Sequence, residues 1–148
     1  MRRICIVLAA FGCTSSEGLA ATASVEVSGR YEYRTDAQSM DILGDVVCFF
    51  PDEASVSKVP RSPRAKRTLW FCFSAESGAR SALGIPVTSS SCGYAGTARV
   101  GISSYRPYLG EGDDHDVADL VRVIDSTRPV EITCRMRSNN SLERSREL

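Results

Sequence analysis

The segment from Met1 to Ala23 determines which part of this 148-residue chain folds and in which compartment. Arg2 and Arg3 precede a run of eight apolar residues, and small and polar residues follow, as in an export signal. The run is too short to span a bilayer, which takes about 20 apolar residues. We therefore predict a signal peptide over residues 1–23 and a protein exported to the periplasm or secreted. The alternative is a buried N-terminal strand of a cytosolic protein.

Two processing sites fit this segment and give different mature proteins. The small residues that end at Ala23 suit a signal peptidase and leave Ser24 as the first residue. Gly12 and Cys13 instead resemble the end of a bacterial lipobox, in which the cysteine is acylated and residues 13–23 become a tether. The mature protein is thus either free or an outer-membrane lipoprotein held by a lipid on Cys13, and both outcomes stay open.

Four cysteines remain after either processing event: Cys48, Cys72, Cys92 and Cys134. An even number in an exported protein predicts two disulfides, and four cysteines allow three pairings. We expect Cys72 to pair with Cys92, which closes a short helical excursion. We expect Cys48 to pair with Cys134, which ties an early strand to the last one. No C-x-x-C pair is present, so the cysteines do not predict a zinc site.

The net charge and the length of the chain indicate which partners and how many domains to expect. The formal net charge is zero, so nothing draws the whole protein to nucleic acid or to an anionic membrane surface. The length suits one domain. Residues 135–148 lose apolar periodicity and are rich in Arg, Ser, Asn and Glu, which is typical of a flexible tail. We therefore predict one folded domain over residues 24–134.

The first half of this domain carries three strand patterns. Apolar and polar residues alternate over residues 25–33, and continuous apolar runs follow at 45–50 and 69–73. The run at 45–50 predicts a strand buried on both faces. Two prolines among charged residues predict a long exposed loop over 52–68. A short helix is expected at 75–83, where a serine precedes it and a glycine follows.

The second half carries two or three strands. Alternation from Tyr94 to Ser103 predicts a strand that runs on toward Leu109. Residues 118–124 fit a strand or a helix, and we favour a strand because β-branched residues dominate. A last short strand is expected at 130–134.

This order of elements is similar to that of the OB fold, a five-stranded Greek-key barrel with a helix between its third and fourth strands. The resemblance covers roughly Val25–Cys134. It includes glycines at Gly29, Gly44 and Gly96 and the stretch Cys-Gly-Tyr-Ala-Gly-Thr-Ala that begins at Cys92. It implies a mainly β protein, a five-stranded OB-like Greek-key barrel with one short helix and two disulfides. Small exported bacterial proteins of this kind bind proteins, sugars or nucleic acids, so the resemblance does not select a function.

Two groups of residues are candidates for binding a partner. A basic segment could recognise an acidic partner, although a solvated loop is the alternative. Two tyrosines on the fourth strand are candidate contact residues, because tyrosine combines apolar area with a polar tip, with strand packing as the alternative. The candidates are Lys58, Arg61, Arg64, Lys66, Arg67, Tyr105 and Tyr108.

The positions of five aromatic residues indicate whether this protein binds nucleic acid. A barrel that binds nucleic acid presents aromatic side chains on its surface, interleaved with basic ones. Here the aromatic residues lie within apolar runs, so we expect them in the core and do not predict nucleic-acid binding. They are Phe49, Phe50, Trp70, Phe71 and Phe73.

The acidic loop before residue 118 is a candidate calcium site. Asp113, Asp114 and Asp116 offer the oxygen ligands that calcium prefers, although their spacing is not that of an EF-hand. A solvated turn is the alternative.

No catalytic signature is present. No serine lies in a Gly-x-Ser-x-Gly elbow, and the chain has one histidine, His115. We therefore expect no enzyme activity and no cofactor. The expected function is that of an exported binding module whose partner is another envelope or secreted protein, as for a scaffold, an inhibitor or an immunity-type protein. The alternative is a glycan- or ligand-binding subunit of a secreted or toxin-like assembly.

Overall fold

The computed structural model describes residues 24–61, 68–87, 91–110 and 114–134. The predicted signal with Cys13 and the predicted tail lie outside these residues. Within them the strands are β1 (Val25–Arg34), β2 (Val47–Pro51), β3 (Phe71–Phe73), β4 (Gly93–Arg106), β5 (Asp116–Ser126) and β6 (Val130–Glu131). The helices are α1 (Ala37–Leu43), α2 (Glu53–Val56) and α3 (Ala79–Ala82), and a 3₁₀ turn covers Ala75–Ser77.

The strand pairings form a ring. β1 pairs antiparallel with β2, β2 with β3, and β3 runs parallel to β5. β5 then pairs antiparallel with β4, and β4 pairs with β1, which closes the ring. β6 adds two pairs at the start of β4. The predictions of a mainly β protein and of a strand at 118–124 are confirmed.

The inside of the ring holds the core, because alternate residues of each strand point inward. Phe49, Phe71 and Phe73 have exposed fractions of 0 to 1%. Their ring centroids lie 5.5 to 5.8 Å apart. The prediction that these three aromatic residues form the core is confirmed. Tyr31 and Ile102 are fully buried around them.

The prediction of one short helix is wrong, since the described residues contain three. The expected helix at 75–83 is divided by Gly78, whose φ of 64° ends the 3₁₀ turn before α3 begins. α1 was not predicted, and α2 lies within the expected loop. Each begins at an aspartate whose side chain accepts a hydrogen bond from a backbone N–H three residues later, Asp36 for α1 and Asp52 for α2.

Two predicted strands run past the C-terminal ends of the observed ones. β4 ends at Arg106, so residues 107–109 do not continue it. Pro107 lacks the N–H that a further ladder bond would need. The last strand covers two residues of the predicted five.

Two disulfides form, as predicted, but both expected pairings are wrong. Cys48 bonds Cys72, and Cys92 bonds Cys134. Cys48 and Cys72 are directly opposite each other on β2 and β3, so strand pairing brings them together. Cys92 directly precedes β4 and Cys134 follows β6, its partner strand. Disulfides are typical of proteins in oxidising, extracellular or periplasmic compartments.

None of the helices that the structure describes is long and apolar enough to cross a membrane.

Candidate functional site

Four side chains form a row across the outer face of the ring: Arg30, Phe50, Trp70 and His115. The strand register places them there. Arg30 is opposite Phe50 on β1 and β2, and the pairing of β2 with β3 and of β3 with β5 extends the line to Trp70 and His115. We call these four residues the outer row.

Each side chain of the outer row contacts the next one along the row. The Arg30 guanidinium lies 4.6 Å from the centre of the Phe50 ring. The Phe50 and Trp70 rings stack with centroids 6.0 Å apart and planes 14° apart. Trp70 and His115 stack at 5.7 Å and 26°. Because each ring faces its neighbour, the row is a continuous wall and not a set of free ring faces on which a base or a sugar could stack.

The expectation that Phe50 and Trp70 lie in the core is wrong. Both are half-buried on the outer face, next to Phe49 and Phe71, which point inward. Neighbouring residues of a strand point to opposite faces, so a run of aromatic residues supplies both faces at once. An apolar run carries no local signal for which of its residues face outward, so the sequence did not separate the two pairs.

An apolar groove of about 160 Å³ lies beside the outer row. Phe50, Trp70 and the disulfide-bonded Cys48 contribute to it from β2 and from the residue before β3, and Leu43 contributes from the end of α1. We call this the apolar groove. Its lining residues are Glu32, Arg34, Leu43, Gly44, Val46, Cys48, Phe50 and Trp70.

Helix α1 borders the apolar groove and buries none of its residues in the described structure. Met40 is 36% exposed and Ile42 is 56% exposed, and Leu43 is half-buried at the groove. A helix of seven residues is not stable alone. Its end is fixed by Gly44, whose φ of 76° is a conformation that glycine adopts most readily. α1 therefore presents apolar side chains to solvent at the edge of an apolar groove.

Three charged side chains of β1 form an ion-paired cluster, of which Glu32 and Arg34 line the groove. One Glu32 carboxylate oxygen is paired with Arg30 Nη1, and the other lies 2.9 Å from Arg34 Nε. The Glu32 side chain is 15% exposed, whereas those of Arg30 and Arg34 are 52% and 37% exposed. The carboxylate is thus covered, and the two guanidinium groups face the solvent.

The two candidate tyrosines lie where β4 ends: Tyr105 is in β4, and Tyr108 is in the loop that leads to His115. Tyr105 Oη donates a hydrogen bond to one oxygen of the Asp116 carboxylate, and the Tyr108 backbone N–H donates to the other at 2.7 Å. The Tyr105 ring packs edge-on against Phe71 at 5.9 Å, so this tyrosine is half-buried against the core. Burial raises the pKa of the Tyr105 hydroxyl, and the bond to Asp116 raises it further. These contacts hold Asp116, and hence the neighbouring His115, in place beside Trp70.

The basic residues that were predicted to bind a partner and that the structure describes do not line the apolar groove. Lys58 is exposed, and Arg61 is half-buried near Tyr105, where its charge opposes the rise of the tyrosine pKa. Arg64, Lys66 and Arg67 lie outside the described residues.

The calcium prediction is not tested. Asp113 lies outside the described residues. Asp114 accepts a hydrogen bond from the His115 N–H at 2.8 Å, and both oxygens of Asp116 accept hydrogen bonds. No three histidine, cysteine or acidic side chains among residues 24–61, 68–87, 91–110 and 114–134 are arranged to hold a metal ion.

A second, wider groove of about 520 Å³ lies on the other side of Phe50 and Arg30. Hydroxyl, carboxylate and guanidinium groups contribute to its walls beside Phe50 and Ala98. Arg99 and Asp125 are opposite each other on β4 and β5 within it. We call this the polar groove; its lining residues are Ser28, Gly29, Arg30, Phe50, Asp52, Thr97, Ala98, Arg99, Asp125, Ser126 and Thr127.

Sequence reasoning found neither groove, because each combines residues from strands that are distant in the chain. No family model, curated protein or solved structure matches this chain. The site is therefore interpreted from its own geometry.

Proposed function

We propose that this protein is an exported, non-catalytic binding module that holds another envelope or secreted protein at the apolar groove, as an inhibitor, an immunity-type protein or a scaffold does. One observation carries the proposal: α1 leaves Met40 and Ile42 exposed while its Leu43 lines an apolar groove. Exposed apolar patches next to grooves mark interaction sites on soluble proteins. The two disulfides support folding outside the cytoplasm.

The size of the groove favours a protein partner over a small molecule. Sites for cofactors and drug-sized ligands have volumes of about 300 to 1,000 Å³. A groove of about 160 Å³ is smaller and suits a single apolar side chain. Protein interfaces concentrate their binding energy in a few such anchors, surrounded by contacts that exclude water.

The order of strand pairing supports an OB-like Greek-key barrel as the architecture. The ring runs β1–β2–β3–β5–β4, and the 3₁₀ turn and α3 lie between the third and fourth strands. In this interpretation the apolar groove lies on the face of strands two and three, where OB folds hold their ligands.

Site-specific crosslinking tests the proposal. A photoreactive benzoylphenylalanine is placed at Ile42 and, as the matched control, at Val87, which is 84% exposed and lies outside the groove. We expect one protein adduct from position 42 and none from position 87. The adduct should be lost when Leu43→Asp is added, because a carboxylate in the groove is costly to desolvate. Equal adducts at both positions, or an adduct that Leu43→Asp leaves unchanged, would contradict the proposal.

The polar groove favours a second candidate function, glycan binding. Hydroxyl, carboxylate and guanidinium groups can satisfy the many donors and acceptors of a saccharide. Titration with a set of oligosaccharides, followed by backbone NMR shifts, tests it. Shifts confined to Thr97, Arg99 and Asp125 would support this candidate, and shifts at Leu43 or Trp70 would assign the sugar to the other groove.

A further inference from the structure

The volume of the apolar groove matches one aromatic ring. The groove measures about 160 Å³, and its walls are mainly apolar. In proteins, an apolar cavity of about 150 Å³ holds one benzene molecule. A groove of this size therefore accepts a single ring, and the groups on its walls decide which kind of ring binds there.

Trp70 presents the edge of its ring to the groove. It directly precedes β3, which lies between β2 and β5, so Phe50 stacks on it from one neighbouring strand and His115 from the other. These contacts cover both faces of the indole and leave its edge for a bound group. An aromatic ring is partly positive at its edge and partly negative on its faces. The Trp70 edge therefore favours the face of another ring, as in the T-shaped contact of Phe71 with Tyr105 at 87°.

Arg34 contributes a second group that attracts an aromatic ring. It lines the groove, and its Nε lies 2.9 Å from a carboxylate oxygen of Glu32, which holds the guanidinium in place. A guanidinium within about 6 Å of a ring centre is attracted to the negative face of that ring. Arg30 makes this contact with Phe50 at 4.6 Å while it is paired with the same Glu32. The ion pair of Arg34 is therefore compatible with the same contact to a bound ring.

Arg34 and Trp70 lie on opposite sides of the groove, because β1 and β3 flank β2. We infer that the apolar groove binds an aromatic side chain of the partner protein, whose ring stands over Cys48 with one face toward the Trp70 edge and the other toward the Arg34 guanidinium. This rests on the proposed function, because it specifies which side chain of the partner enters the same groove. An aliphatic side chain of equal size fills the groove but makes neither of these two contacts.

Selection from a random peptide library, displayed on phage, tests this inference with the oxidised protein. We expect the enriched peptides to share one aromatic residue. An enriched peptide with phenylalanine at this position is then compared, by isothermal titration calorimetry, with a copy that carries cyclohexylalanine instead. The two side chains have nearly the same size, but cyclohexylalanine has no π electrons. We expect the cyclohexylalanine peptide to bind about fivefold or more weakly.

Three variants separate ring recognition from the burial of apolar surface. Arg34→Gln should weaken the phenylalanine peptide by about two- to fivefold and the cyclohexylalanine peptide less, because the guanidinium is attracted to a ring face. Arg99→Gln is the matched control, at an exposed arginine outside the groove, and should change either affinity by less than about twofold. Leu43→Asp should abolish the binding of both peptides, because it places a carboxylate in the groove.

Aromatic recognition and the proposed function fail in different ways. If the enriched peptides share an aliphatic residue instead, if the cyclohexylalanine peptide binds as tightly as the phenylalanine peptide, or if Arg34→Gln affects both peptides equally, recognition of a ring by these walls is wrong and the groove remains a docking site. If no peptide is enriched, or if Leu43→Asp leaves binding intact, the groove is not the docking site and both proposals fall.

Discussion

On the inner face of the ring, Phe49 and Phe71 are fully buried and stack at 5.5 Å. On the outer face, one residue away along each strand, Phe50 and Trp70 stack at 6.0 Å and stay half-buried. The inner pair is enclosed on all sides by other core residues, whereas the outer pair borders an open groove. Adjacent aromatic residues therefore serve different faces of one sheet: one pair fills the core, and the other borders an open groove.

Truncating one aromatic ring on each face should give the largest difference in stability. Phe71→Ala should lower the free energy of unfolding by about 3 to 5 kcal/mol, because it leaves a cavity among Phe49, Phe73 and Tyr105. Trp70→Ala should cost less than about half of that, since its side chain already contacts water. Urea denaturation measures both. The division between faces is wrong if the two costs are equal, or if Trp70→Ala leaves the crosslinked adduct from position 42 unchanged.

Replacing a glycine with alanine on each face of the sheet tests the same difference between the inner and outer faces, because it adds one methyl group. A Cβ at Gly96 would lie 2.5 Å from the hydroxyl oxygen of Tyr31, which is fully buried and donates a hydrogen bond to the Thr127 carbonyl at 3.2 Å. We expect Gly96→Ala to cost about 1 to 3 kcal/mol of stability through overpacking.

The matched control is Gly101→Ala on the outer face. Its Cβ would lie 3.3 Å from the Cγ of Arg122, a flexible, exposed side chain that can move aside. We expect its stability to stay within about 0.5 kcal/mol of the wild type. The result that would count against this account is a larger loss from Gly101→Ala than from Gly96→Ala.

Alkaline pH should act through the tyrosines next to the core. Burial raises the pKa of Tyr31 and Tyr105 above 10.0, so the unfolded chain loses these protons first. Their contribution to stability is fully present below pH 10 and is lost as the pH rises through the folded-state pKa. Denaturation curves measured across this range should show a shallower loss for Tyr105→Phe than for the wild type. An unchanged slope would show that Tyr105 ionises alike in both states.

Acidic pH should act weakly, through the surface. A hydrogen bond from the Ser74 hydroxyl, 2.6 Å away, lowers the pKa of Asp119 below 3.8, and Ser104 and Arg106 add to this effect. The contribution is present above pH 3.8 and is lost as the pH falls through the folded-state pKa. Ser74→Ala should reduce the acid-dependent loss by well under about 1 kcal/mol, because the carboxylate is solvated. A larger change, measured by denaturation at low and neutral pH, would mean that this contact is part of the core.

The predictions from sequence worked best where a local pattern was sufficient. The alternation of β1 and the β-branched run of β5 gave strands that the structure confirms. The predictions failed where a neighbouring strand sets the environment of a residue. Phe50 and Trp70 were expected in the core because an apolar run does not show which of its residues points inward. α1 was missed although Asp36 and Ser39 form a capping pattern, because its seven residues give too short a periodic signal.

The disulfides show the same limit. An even set of four cysteines predicts two bonds, and two bonds form. The pairing depends on which strands are neighbours, and strand order is not written in the spacing of the cysteines. Cys48 meets Cys72 because β2 pairs with β3, and this bond then contributes to the apolar groove through Cys48.

Strand periodicity and cysteine number are local properties, so the amino-acid sequence is sufficient to predict a mainly β chain with two disulfides. The tertiary structure sets which cysteines pair, which aromatic residues face outward, and how Arg34, Leu43 and Trp70 come to line one groove. These features depend on strand register and on the closing of the ring. The pairing of β1 with β2 and of β2 with β3 brings residues together from β1, α1, β2 and the residue before β3, and no local pattern records that register.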